Sequence, residues 1–332
     1  FDIPDYLLRD IFQFLDTVFD ESPECMNYFL QILKVSNLKE SLQSKNMEKS
    51  YVPFIQLLLD ISKVYQIGVV LENPIDITKE FFDFVLLFLN IGNIEGQELA
   101  YNILINLISR NEEAALKFIE ESGPLIESVE RHLQVENPEE LLVKAIYLIG
   151  IMCQQNYCLE KFPIQLLIPC LEHPEPKVKM ITAYALCNAL REKNRGLFSY
   201  DDVINIFYKL TFILENDIYQ VSQYIAEIIP KIILECLDPS IFPHLVENNI
   251  FGTFARIASI EDYMKSSEVE HFLSVIDRMF QMAASHQLMD LFMAKFEESD
   301  CYQIIADFEF EDEIIQQKVS EFFQKYNEIR GQ

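Results

Sequence analysis

The side chains best placed to meet a partner fall within one stretch, Glu172 to Arg195, which reads EHPEPKVKMITAYALCNALREKNR. Stepping about 100° per residue sets Lys177, Ile181, Tyr184, Asn188, Arg191 and Arg195 on a single lengthwise stripe. A ring, an amide and cations on one stripe make a lining, not a reaction centre. Residues able to make or break bonds have no supporting pattern. His132, His173, His244, His271 and His286 show no HExxH or other ligand spacing, and no metal or other cofactor is expected. The chain has no GxGxxG, no GxxxxGK[ST] and no GxSxG, so phosphate cradles and nucleophile elbows lack support. Its seven Cys occur singly, and Cys153 and Cys187, set among Leu and Ile, read as small core residues. An enzyme is not expected.

The elements that must position the stripe are helical. Pro174 and Pro176 end whatever precedes them, and a run of helix formers follows at once. On that helix Val178, Thr182, Ala185, Leu186 and Ala189 cover one flank, and Met180, Ala183, Cys187 and Leu190 a second. A helix apolar on two flanks is packed between two neighbours, as in a stacked array.

The same unit recurs along the chain. Amphipathic segments at about 5–20, 25–35 and 52–64 form an irregular beginning. From residue 81 the pattern sharpens: FFDFVLLFLN, the turn IGNIEG, then QELAYNILINLIS. AALKFIEE, GPLIESVERHL and LLVKAIYLIGIMCQ make the next unit, FPIQLLIPCLE, the turn HPEP and the helix that follows it a third, and YDDVINIFYKLTFIL with VSQYIAEIIPKIILE a fourth. Matching the last helices places Asn106, Ile151, Asn188 and Ile228 at equivalent points, 45, 37 and 40 residues apart. A period near 40 with two or three helices is the signature of armadillo or HEAT repeats. Beyond Pro239 the units loosen but continue, through residues 271–283 and 314–329. The expected fold is all-α, an armadillo/HEAT-type right-handed superhelical solenoid of about seven repeats. Residues 1–332 are read as one solenoid: irregular repeats over 1–80, the most regular over 81–235, and C-terminal repeats with a cap over 236–332.

Composition agrees with helices and bounds the partners. Half the residues are apolar, with 26 Phe, no Trp and only 8 Gly, too little turn chemistry for an all-β or dinucleotide-binding fold. The formal charge of -27 repels nucleic acid and anionic membranes and attracts basic polypeptides. Unpaired Cys point to a reducing compartment, cytoplasm or nucleus, and the longest apolar run, Phe84 to Ile91, is far too short to span a bilayer.

The segments ESGPLIESVERHLQVENPEELLVKAIYLIGIM and LLIPCLEHPEPKVKMITAYALCNALRE resemble armadillo repeats of the importin-α (karyopherin-α) family, adaptors that carry basic nuclear localisation signals. FEESDCYQIIADFEFEDEIIQQKVSEFFQKY resembles that family's final repeat. In the family the third helix of each repeat carries Trp-x-x-x-Asn. The four-residue spacing stacks the pair on one face, where Asn pins the main chain of an extended peptide and the ring holds a Lys or Arg stem. The resemblance carries this groove role onto Tyr184 and Asn188, onto Asn106 at the Asn position, and onto Tyr147 and Tyr224 at the aromatic position. Asn102 replaces the aromatic partner of Asn106, Ile151 and Ile228 stand where Asn would be, and Arg110, Lys144 and Arg191 also fall on the stripe.

Two uses follow. One is an importin-α-like adaptor binding an extended basic peptide for nuclear import, with importin-β as a second partner through a basic arm that residues 1–50 do not contain. The other is a general armadillo scaffold or co-chaperone, its Phe-rich surface gripping a helix or a folded domain.

Overall fold

The computed structural model describes residues 82, 85–90, 93–109, 122–155, 162, 164–191, 197–264, 268–308, 310 and 312–330, with positions 10, 11, 14, 15, 17, 55 and 56. The three N-terminal amphipathic segments lie almost wholly outside them, and AALKFIEE, Arg110 and Arg195 lie wholly outside. The described residues form helices and turns, with no strand among them. The chain divides into two compact units, Phe1–Leu166 and Leu167–Gln332.

In the first unit, α1 (Ile94–Ser109), α2 (Gly123–His132) and α3 (Glu139–Gln155) are described. Ser122 caps α2 by accepting from the Leu125 amide at 3.3 Å, and Pro124 sits in the first turn, where its missing N–H costs nothing. The turn at 134–138 folds α2 back on α3, and α3 packs along α1. Leu142, Ala145, Ile146 and Ile149 of α3 are fully buried, as are Ala100, Tyr101, Leu104 and Ile108 of α1.

One polar pair lies inside this core. The Tyr101 hydroxyl and His132 Nδ1 share a hydrogen bond of 2.8 Å, both side chains being buried. Burial, and secondarily the Arg131 charge, hold the imidazole neutral down to about pH 4. A base whose folded pKa is depressed stabilises the protein above its unfolded pKa, and that stability is lost as pH falls toward the folded value. The wild type should therefore lose about 2 kcal/mol between pH 7.5 and 5 that a Tyr101→Phe/His132→Leu variant keeps. Urea midpoints at the two pH values measure the difference, and equal pH dependence would refute the assignment.

A single turn of 3-10 helix, Ile164–Leu166, ends the first unit. The second opens with α4 (Leu167–Cys170) and α5 (Pro176–Ala189). His173 Nδ1 accepts the Glu175 amide at 3.1 Å and fixes the polar turn between them. Next come α6 (Tyr200–Asn216) and α7 (Tyr219–Cys236). Helix α6 starts at a capping box: Ser199 Oγ accepts from the Asp202 amide, and Asp202 Oδ2 from the Ser199 amide. Pro230 sits inside α7, so the Ala226 carbonyl lacks its helical donor, yet the helix continues because its buried face is long.

From residue 242 each repeat has three main helices. The first holds α8 (Phe242–Glu247), α9 (Ile250–Ala258), the single turn α10 (Glu261–Met264) and α11 (Val269–Ser285). The second holds α12 (Met289–Glu298), α13 (Cys301–Asp307) and α14 (Glu313–Arg330). In both, a residue in the left-handed region joins the first two helices, Asn249 at φ 61° and Asp300 at φ 61°. Asn and Asp tolerate this region better than other non-glycine side chains, so the chain can turn sharply there at little cost. Helix α8 packs on α12, α9 on α13 and α11 on α14, so each main helix meets its counterpart in the next repeat. The closing helices run on in the same way, α5 on α7 and α7 on α11. That repetition of contacts is the mark of an α-solenoid. The looser pattern read after Pro239 thus conceals two regular triplets.

Candidate functional site

On α5 the flank predicted to be covered is covered: Val178, Thr182, Ala185, Leu186 and Ala189 are buried, and Thr182 Oγ1 donates to the Val178 carbonyl at 2.7 Å. The second flank is buried at Ala183 and Leu190 and half-buried at Met180 and Cys187. The remaining stripe is less open than expected. Lys177 is exposed, Ile181, Tyr184 and Arg191 are half-buried, and Asn188 is only 4% exposed. Its Nδ2 is fully covered and has no hydrogen-bond partner.

Helix α7 supplies the facing wall. Tyr224, Glu227, Lys231 and Glu235 follow one another along it, all half-buried. Burial first, and then the neighbouring Cys187, Glu227 and Tyr184, push the Tyr224 hydroxyl up to about 12. Cys187 is pushed up to about 11 by burial, against the charges of Arg191 and Lys231. A thiol so raised stays protonated, which removes it as a nucleophile. Electrostatic proximity thus ties Tyr184, Cys187 and Arg191 to Tyr224, Glu227, Lys231 and Glu235 across the α5–α7 seam.

Glu268, just before α11, extends the face. Lys231 Nζ bridges its Oε2 at 2.6 Å, His271 Nδ1 lies 3.5 Å from the same oxygen, and the buried Tyr263 hydroxyl donates to its carbonyl at 3.2 Å. Burial, followed by the charge of Glu268, raises the Glu227 pKa. The face carries Glu227, Glu235 and Glu268 against Arg191 and Lys231. A basic side chain entering beside Glu227 would relieve the crowding of two carboxylates.

The first unit differs. Asn102 and Asn106 of α1 are half-buried and Tyr147 of α3 is exposed, while Lys144 Nζ donates to Asn102 Oδ1 at 2.6 Å. A lysine of the chain itself thus fills the amide that stands where an aromatic would be. Ile151 and Ile228, at the remaining Asn positions, are 4% and 6% exposed and close the helix seams. Asn188 shares their depth, which explains why it is hidden: the register is a seam position and not a crest. Of the five residues expected to line a groove, Tyr184, Asn188 and Tyr224 lie on two packed helices of the second unit, and Asn106 and Tyr147 belong to the first.

Sequence reading did not single out Glu227, Lys231 or Glu268. For the first two the signal was available, since Glu227 and Lys231 fall three and seven residues beyond Tyr224, on its own side of the helix. Among the described residues no three His, Cys, Asp or Glu gather as metal ligands, and no disulfide joins the described cysteines Cys153, Cys170, Cys187, Cys236 and Cys301. No described helix is long and apolar enough to cross a membrane.

No protein-family profile matches the chain, and no curated protein sequence is significantly similar to it. Among solved structures, an engineered protein determined by crystallography is similar over 79% of this chain and 98% of its own length, at 16% identity and a TM-score of 0.51. At that identity the likeness concerns the fold alone.

Proposed function

We propose that the chain is a protein-binding adaptor of armadillo type, whose α5–α7 face holds an extended basic segment as in the importin-α family it resembles. The three-helix repeats after residue 242 favour armadillo over plain HEAT pairs. The observation that carries the reading is the Asn188 amide, whose nitrogen is buried without a partner one turn beyond Tyr184, on the helix that packs against Tyr224 and Glu227 of α7. Native cores rarely leave such a donor unpaired, because it costs about 1–3 kcal/mol. A guest main-chain carbonyl would satisfy it once a covering side chain swings aside. The Glu227 and Glu268 carboxylates suit a lysine or arginine, and the charge of -27 speeds capture. Nuclear import is the use the family implies, with cytoplasm and nucleus as the compartments and importin-β as a second partner.

The scaffold reading draws on the first unit, where Lys144 already fills Asn102 and Ile151 replaces an Asn. A groove occupied in that way favours an apolar or folded partner there.

Titrating a dye-labelled Lys/Arg-rich peptide into the protein separates the two. The adaptor reading expects affinity to fall steeply as salt rises from about 50 to about 200 mM. Tyr184→Ala should weaken binding about tenfold and Glu227→Gln about three- to fivefold. Binding that ignores salt, or that both variants retain at wild-type strength, would leave the scaffold reading standing.

A further inference from the structure

Helix α6 buries Val203, Ile206, Phe207, Leu210, Ile213 and Leu214 on one face, and the opposite face should be charged and bare. It is not. Asp201, Tyr208, Phe212 and Glu215 succeed one another at i, i+7, i+11 and i+14, which keeps them within a narrow stripe directly opposite the core. Tyr208 is 66% exposed and Phe212 58% exposed. Where the helix ends, Ile218 and Tyr219 add 55% and 59% exposure. Four large apolar side chains exposed within 12 residues are unlike the scattered single ones that every surface carries.

We propose that this stripe is a second docking surface, and that it receives a basic amphipathic helix of a partner protein. Charge selects the occupant. Among the described residues Asp201 and Glu215 have no ion-pair partner, whereas the cations nearby are taken, Lys209 by Glu172 and Lys179 by Asp217. The stripe therefore presents two rings between two uncompensated carboxylates, which stand 14 residues or about 21 Å apart along the axis. A helix of matching length carries Lys or Arg at its two ends and Leu, Ile or Met between them. Its aliphatic side chains cover Tyr208 and Phe212, and its cations reach Asp201 and Glu215 and lie against the ring faces of the stripe. A second copy of this chain would bring acid to acid, at a charge of -27 each. The stripe lies on α6, away from Tyr184, Asn188 and Glu227, and its occupancy does not depend on the basic-segment reading.

The probe is a 20-residue helical peptide with leucines on one stripe and lysines 14 positions apart at its ends, labelled for fluorescence anisotropy. We expect micromolar binding that is weakened at least tenfold by Tyr208→Ala/Phe212→Ala and at least threefold by Glu215→Lys. A peptide with glutamates in place of the end lysines should not bind. Because all three substituted positions are exposed, the variants should keep the wild-type circular dichroism and melting temperature. Tyr184→Ala and Glu227→Gln should leave this affinity unchanged, so failure here is distinct from failure of the basic-segment reading. The proposal is overturned if the lysine peptide does not bind up to 1 mM, on the order of the weakest interactions worth measuring. It is equally overturned if the double alanine variant binds as the wild type does, or if sedimentation shows a self-association that this variant abolishes.

Discussion

Phe296→Ala is expected to destabilise the second unit by about 4 kcal/mol, a large fraction of the net stability that a folded domain has to lose. Phe296 is fully buried in α12, and its ring centroid lies 5.3 Å from Phe292, 5.4 Å from Phe251, 5.8 Å from Tyr326, 6.0 Å from Tyr302 and 6.1 Å from Phe322. Those rings come from α9, α12, α13 and α14, so one side chain is the common neighbour of both three-helix repeats. Most of the pairs are edge-to-face, the arrangement the ring quadrupole favours, and each adds about 0.5–1.5 kcal/mol beyond area. Truncation opens a cavity whose walls belong to four helices, and a wall built from rigid rings collapses poorly. Chemical denaturation followed by far-ultraviolet circular dichroism should show the loss as a lower midpoint with an unchanged slope. Phe296→Leu, which keeps most of the volume, should cost less than half as much. An alanine variant within about 1 kcal/mol of wild type would mean that the cluster is a peripheral contact.

This cluster also marks where the sequence was hardest to read. Helices α1, α3, α5, α6 and α7 announced themselves by long apolar runs closed by polar or proline turns, but α1 begins at Ile94, inside the segment read as a turn, and α5 ends at Ala189, short of Arg191 on the expected stripe. After Pro239 the helices that open each repeat are short, and a six-residue helix such as α8 is too brief to display a period of 3.6. What identifies the repeats there is the left-handed Asn249 and Asp300, whose requirement is a backbone angle and leaves almost no pattern in composition. The site divides along the same line. The Tyr184 and Asn188 pair was legible because four residues make one helical turn. The meeting of Glu227 with Glu268 was not, since it depends on how α7 packs on α11 and brings together residues 41 positions apart. Depth was the other miss. Periodicity placed Asn188 on the stripe of Tyr184, but it could not distinguish a crest from a seam, because that depends on the neighbouring helix.

Asn188→Leu is expected to raise stability while removing affinity, and the pairing of those signs is what identifies the residue's role. In the unbound protein the buried Nδ2 has no acceptor, so its desolvation is a standing cost of about 1–3 kcal/mol. Leucine repeats the branching of asparagine with methyl groups in place of the amide and has no donor to leave unpaired, so the free protein should gain about 1 kcal/mol. On the basic-segment reading a bound peptide, in contrast, loses the amide proposed to fix its main chain, and affinity for the Lys/Arg-rich peptide should fall at least tenfold, equivalent to about 1.4 kcal/mol. A residue kept for the fold behaves in the reverse way: its replacement lowers the denaturation midpoint and leaves the peptide unaffected. Stability held in reserve at a binding face is a common trade in proteins that must accept a guest. Measuring both quantities on the same sample therefore decides the matter, because a destabilised variant that binds normally would assign Asn188 to the α5–α7 packing alone.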